Sequence, residues 1–125
     1  MRHFSVLLLL TACWSLAAYG SQDFTSTSSA TGIIQSLSKT KSEITRKIEA
    51  QKSLENAGLG VALPAMTEKD RGYLLEGGHI TSNGTLVGFN SKYRVLVVLE
   101  PTYRSGAVEW RCKVIPATAS PKSCQ

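Results

Sequence analysis

An α+β domain, with one N-terminal helix packed on a roughly four-stranded antiparallel sheet, is the fold class this sequence predicts. Three observations lead to it. Apolar residues from Ile34 to Ile48 recur at steps of three and four, the period of a helix. Beyond Gly72 the period falls to two, in short β-rich runs separated by turn-forming residues. Cys112 and Cys124, a dozen residues apart, then bracket the C-terminal end of the chain. A bridge between them would pin a terminus that otherwise frays, and a loop of that length is worth roughly 3 kcal/mol by chain-entropy estimates.

Residues 1–20 read as a secretory signal peptide. Arg2 and His3 make a short basic start, Phe4 to Leu10 is an apolar core, and small residues follow at Ala17, Ala18 and Gly20. The apolar run is too short to span a membrane. Two processing routes are legible. Ala18-Tyr19-Gly20 before Ser21 suits ordinary cleavage, the reading adopted here. Leu10-Thr11-Ala12-Cys13 has the form of a bacterial lipobox, in which Cys13 would be lipidated and anchor the chain to a membrane. By either route Cys13 leaves the pool of pairing thiols, and Cys112 and Cys124 remain as an even pair in an oxidising compartment.

What is left is one domain of about a hundred residues, enough for a single modest core. The whole chain carries a net charge of +5. Loss of Arg2 lowers this to about +4, a mild excess that tolerates an anionic partner without demanding nucleic acid. Residues 21–32, rich in serine and threonine, read as a flexible leader. The domain proper is expected over 33–125.

A helix follows the leader, with Thr31 able to cap its start and Gly58 and Gly60 to end it. Its apolar stripe is Ile34, Leu37, Ile44 and Ile48, extended by Leu54 and broken at Lys41 and Gln51. Glu43 and Lys47 are spaced for a favourable pair. Residues 59–72 form a connecting loop, with Glu68-Lys69-Asp70-Arg71 as a solvated charge cluster. Tyr73–Ile80, Thr85–Phe89, Tyr93–Leu99 and Ala107–Val114 read as strands, joined by turns at Ser82-Asn83-Gly84, Asn90-Ser91 and Thr102–Gly106. Val95–Leu99 is apolar on both faces and is expected to be a central strand with the helix over one side.

In this order the residues resemble a family. A helix, a variable loop, Gly78-His79-Ile80, Leu96-Val97-Val98-Leu99-Glu100-Pro101, Gly106, Trp110-Arg111-Cys112 and a terminal Pro121-Lys122-Ser123-Cys124 look like the globular head of a type IVa pilin. The resemblance covers roughly residues 33–125. It implies a helix on a four-stranded antiparallel sheet, a Cys112–Cys124 bridge, and an exposed loop between the two cysteines that makes contacts. It also implies a Gram-negative source, with the chain in the periplasm or at the surface. The start of the chain departs from the pattern. Such pilins open with a Gly-Phe-x-x-x-Glu processing site and a long apolar helix, whereas no glutamate precedes Glu43 and polar residues occupy 21–31.

The function expected is therefore non-enzymatic. The chain reads as a secreted pilin-like subunit or accessory of a type IV pilus, acting through contacts with other pilins or assembly proteins, in adhesion or fibre biology. Two alternatives stand beside it: a periplasmic regulator or decoy of pilus assembly, and a DNA-binding protein in DNA uptake. No nucleophile motif, phosphate-binding loop or paired metal-ligand histidines are found, and no cofactor is expected.

The candidate binding surface is Arg94, Arg104, Trp110, Arg111, Lys113 and Lys122, on or beside the predicted sheet with Tyr93 and Tyr103 nearby. Aromatic and basic groups together can hold a nucleic-acid strand. Alternate positions of a half-exposed sheet are also charged for solubility alone, which is the preferred reading. Further basic residues lie on the helix, at Lys39, Lys41, Arg46, Lys47 and Lys52. Trp110 is read first as a packing aromatic, His79 as a surface or hydrogen-bonded histidine, and Asn83-Gly84-Thr85 as a turn rather than a glycosylation site.

Overall fold

A computed structural model describes residues 26–64 and 75–125. The expected signal segment with Cys13, the first part of the leader (21–25), and residues 65–74 with the charge cluster and the start of the first expected strand lie outside these.

Helix α1 occupies the described residues 26–36, and α2 follows as Ser38–Gln51. They meet at Leu37, whose ψ of −7° departs from helical geometry. Backbone bonds still run through the joint, from Leu37 N–H to the Ile33 carbonyl (3.0 Å) and from Lys41 N–H to the Leu37 carbonyl (2.9 Å). The two segments therefore act as nearly one rod. The expected flexible leader is corrected over residues 26–32, which are helical, with Ser29 and Ala30 fully buried. Hydroxyls that favour turns elsewhere are absorbed within the helices here. Thr31 Oγ1 donates to the Thr27 carbonyl (3.0 Å), so Thr31 lies inside α1 and does not cap it. Ser36 bonds Gly32 (2.8 Å), Ser42 bonds Ser38 (3.1 Å) and Thr45 bonds Lys41 (2.9 Å) in the same way. Among the described residues, Ser29 Oγ has no hydrogen-bond partner, at a typical cost of about 1–3 kcal/mol.

The buried stripe is Ile33, Leu37, Thr40, Ile44 and Ile48, so Ile33 takes the place expected for Ile34, which is only partly buried. α2 stops at Lys52, which adopts φ 55°, well before Gly58. Lys47 Nζ donates to the Leu59 carbonyl (2.6 Å) and ties the loop back to the helix, rather than pairing with Glu43.

Four strands follow: β1 Gly77–Ile80, β2 Leu86–Asn90, β3 Val95–Arg104 and β4 Ala107–Ile115. They form an antiparallel meander in the order β1-β2-β3-β4, so β3 is interior as expected. β1 is shorter than expected, although Glu76 N–H still donates to the Phe89 carbonyl (2.9 Å). β3 is longer, running through Pro101 to a tight turn at Ser105-Gly106. A proline is tolerated there because β2 pairs with β3 only as far as Leu99, leaving Pro101 a single neighbouring strand, β4.

The helices lie on the face made by Leu86, Val95, Val97, Leu99 and Val114. Two glycines set how closely they approach. A Cβ at Gly88 would meet Leu75 Cδ1 at 2.6 Å and Ile33 Cγ2 at 2.9 Å, and one at Gly84 (φ 92°) would meet Ile44 Cγ2 at 2.8 Å. One glycine admits the joint between helices, the other the middle of α2. Among the described residues no helix is long and apolar enough to cross a membrane.

After β4 the chain forms two 3-10 turns, Ala117–Ala119 and Lys122–Cys124, with Ala119, Pro121 and Cys124 buried. Cys112 and Cys124 are bridged, their Cα atoms 5.0 Å apart.

Candidate functional site

Strand alternation decides where each candidate residue points. On β4, residues 108, 110, 112 and 114 face the helices, while Arg111 and Lys113 face the other way and are exposed. Across the β3–β4 ladder Arg111 stands opposite Glu100, and Lys113 opposite Val98. These four residues line an open groove of about 560 Å³ together with Trp110, Cys112 and the terminal Ser123, Cys124 and Gln125. The bridge brings the terminal turn to this edge of the sheet. Lys122 is exposed in that turn.

The six expected residues therefore do not form a single surface. Arg111 and Lys113 are neighbours on one face. Arg94 and Arg104 stand at opposite ends of β3, separated by about 30 Å at 3.3 Å per residue. Trp110 projects to the helix side, where its Nε1–H donates to Thr45 Oγ1 (3.0 Å) and the Lys41 ammonium lies 5.6 Å from its ring centre. The hydrogen bond contributes about 1 kcal/mol and the cation–π contact about 0.5–1 kcal/mol. Trp110 thus locks α2 to the edge strand, in line with its reading as a packing aromatic. Tyr93 and Tyr103 also pack against the core rather than standing free. His79 is exposed on β1.

A second groove lies on the other side of Trp110, lined by Ser38, Lys41, Ser42, Thr45 and Arg46 of α2. Sequence reasoning did not single it out, having taken Lys41 as an interruption of the apolar stripe and, with Arg46, as one of the helix's basic residues. The signal was available: these five positions follow one another at steps of three and one, which places them along one side of a helix. What could not be read was that Trp110, 65 residues from Thr45, would stand against that side.

One ionisable group is displaced by its surroundings. Glu76 accepts the Ser91 hydroxyl (2.6 and 2.8 Å) and the Ser91 backbone N–H (2.6 Å). These bonds hold its carboxyl below the usual value of 4.5, the hydroxyl contributing most. The contact clasps the entry to β1 onto the β2–β3 turn. Among the described residues, no group of three or more His, Cys, Asp and Glu side chains gathers where it could hold a metal ion. Comparison of the chain with protein-family models, with curated proteins and with solved structures gives no match.

Proposed function

We propose that the chain is a secreted, non-enzymatic pilin-like protein, a subunit or accessory of a type IV pilus that works through protein contacts of its C-terminal edge. One observation carries the reading: a helical rod packed on a four-stranded antiparallel meander whose last strand is covalently joined to the chain terminus by Cys112–Cys124. That combination is what the resemblance in residues 33–125 implies. It leaves the loop between the cysteines, with residues 115–118 exposed, as a contact surface on a tied frame. A disulfide is also compatible with an oxidising compartment outside the cytoplasm.

The test is the location and neighbours of the protein in its own cells. Sheared surface fibres, outer membrane and periplasm are separated and probed, and a photocrosslinker is placed at position 118. Sedimentation with fibres, or crosslinks to a pilin, supports the proposal. A chain found wholly in the periplasm and crosslinked to no pilus component overturns it.

A further inference from the structure

The groove between α2 and Trp110 has a chemistry that the proposed function leaves unused. Its volume of about 410 Å³ is in the range of small-ligand clefts. Among the described residues, no acidic side chain lines it. Among the described residues, neither Lys41 nor Arg46 has a carboxylate partner. Lys41 is held over the Trp110 ring by a contact that uses its charge and none of its N–H donors. Two cations therefore flank the groove without neutralisation.

The hydroxyls complete the pattern. Ser38 Oγ donates to the Gln35 carbonyl (2.8 Å), Ser42 Oγ to Ser38 (3.1 Å) and Thr45 Oγ1 to Lys41 (2.9 Å). A hydroxyl has one proton and two lone pairs. With all three protons committed to the helix backbone, these oxygens meet a ligand as acceptors. Thr45 already spends one lone pair on the Trp110 indole. A bare phosphate or sulfate would satisfy the cations but set acceptor against acceptor at the hydroxyls. A neutral sugar would donate to the hydroxyls and leave the cations idle. The complementary ligand carries O–H donors and a negative charge on one compact frame.

We infer that this groove binds an acidic saccharide, a uronate or a sulfated sugar. Its hydroxyls donate to Ser38, Ser42 and Thr45, and its acid group is held by Lys41 and Arg46. The rim of Trp110 supplies an apolar contact for the C–H face of the ring. The outer groove on the far side of Trp110 does not have this character, because Glu100 lines it beside Arg111 and Lys113.

The experiment is calorimetric titration of the full chain at low salt with four probes: an oligogalacturonate, a sulfated heparin-derived tetrasaccharide, maltotetraose, and an oligothymidylate of matched charge. Binding is expected for at least one acidic saccharide and at least tenfold weaker for maltotetraose. Lys41→Gln and Arg46→Gln should each weaken it about tenfold. Lys39→Gln, elsewhere on α2, should leave it unchanged. Ser38→Ala combined with Ser42→Ala should weaken saccharide binding and spare the oligothymidylate, which brings no row of hydroxyl donors. Absence of binding to both acidic saccharides overturns the inference. So does equal affinity for the oligothymidylate, which would make the groove a general polyanion site, or an equal loss on Lys39→Gln. Thermal melts of each variant confirm that the fold is retained, and none of these outcomes bears on where the protein resides.

Discussion

The two faces of the sheet are built from alternate residues of the same strands, yet among the described residues only one is covered. On the helix side Leu86, Val95, Val97, Leu99 and Val114 are at most 4% exposed. On the other side the cross-strand row Phe89–Leu96–Ile115 leaves Phe89 38% and Ile115 49% exposed. At positions 95–99 the side chains of both faces are aliphatic, so hydrophobicity does not separate them. The difference is the helical rod, which reaches one face through the gaps left by Gly84 and Gly88. An apolar side chain contributes to stability only through the water actually removed from it.

That comparison is broken most forcefully by emptying the covered face. Leu86→Ala should cost about 2–5 kcal/mol, seen as a lower midpoint in urea unfolding at unchanged slope. Cys112→Ser should cost about 3 kcal/mol by releasing the terminus from β4. An oxidised wild-type protein whose melting temperature does not change on reduction would contradict this. Gly88→Ala fills the gap under the joint between helices and should cost about 1–3 kcal/mol, because the added methyl meets Leu75 and Ile33.

The Glu76 clasp belongs to neither face and gives a smaller, pH-dependent effect. Its folded pKa is lowered, so its contribution is present above the ordinary carboxylate value of 4.5 and is lost as pH falls through the folded value. The difference in melting temperature between wild type and Glu76→Gln should be largest at neutral pH and fade in acid. A difference that grew as pH fell would reverse the assignment. The smallest effect is expected on the open face, where Ile115→Ala should cost less than about 1 kcal/mol. A loss as large as that of Leu86→Ala would mean that the exposed row is covered after all.

Much of the architecture was legible. Leu37, Ile44 and Ile48 form a helical stripe, the change of period after Gly72 announces the meander, and Val95–Leu99 is the interior strand. The limits of the elements were less so. Serine and threonine at 26–31 resemble a tether by composition, but inside α1 the Thr31 hydroxyl bonds the Thr27 carbonyl four residues back and Ser29 and Ala30 are buried. The third strand was expected to end at Leu99, and only its pairing with β2 ends there. Of the six candidate binding residues, alternation was enough to place Arg111 and Lys113 together. Only the length of β3 shows that Arg94 and Arg104 lie far apart.

Period, turn chemistry and cysteine arithmetic are local properties, written in neighbouring residues, so the sequence by itself determined the fold class, the meander and the pair of thiols available for bridging. Contacts between distant segments are not local. The join of Trp110 to Thr45, the helix resting on Gly88, the clasp of Glu76 on Ser91 and the two grooves on either side of Trp110 depend on which surfaces meet once the chain has packed. Those meetings follow from shape and close packing across the whole domain, and only the tertiary structure decided them.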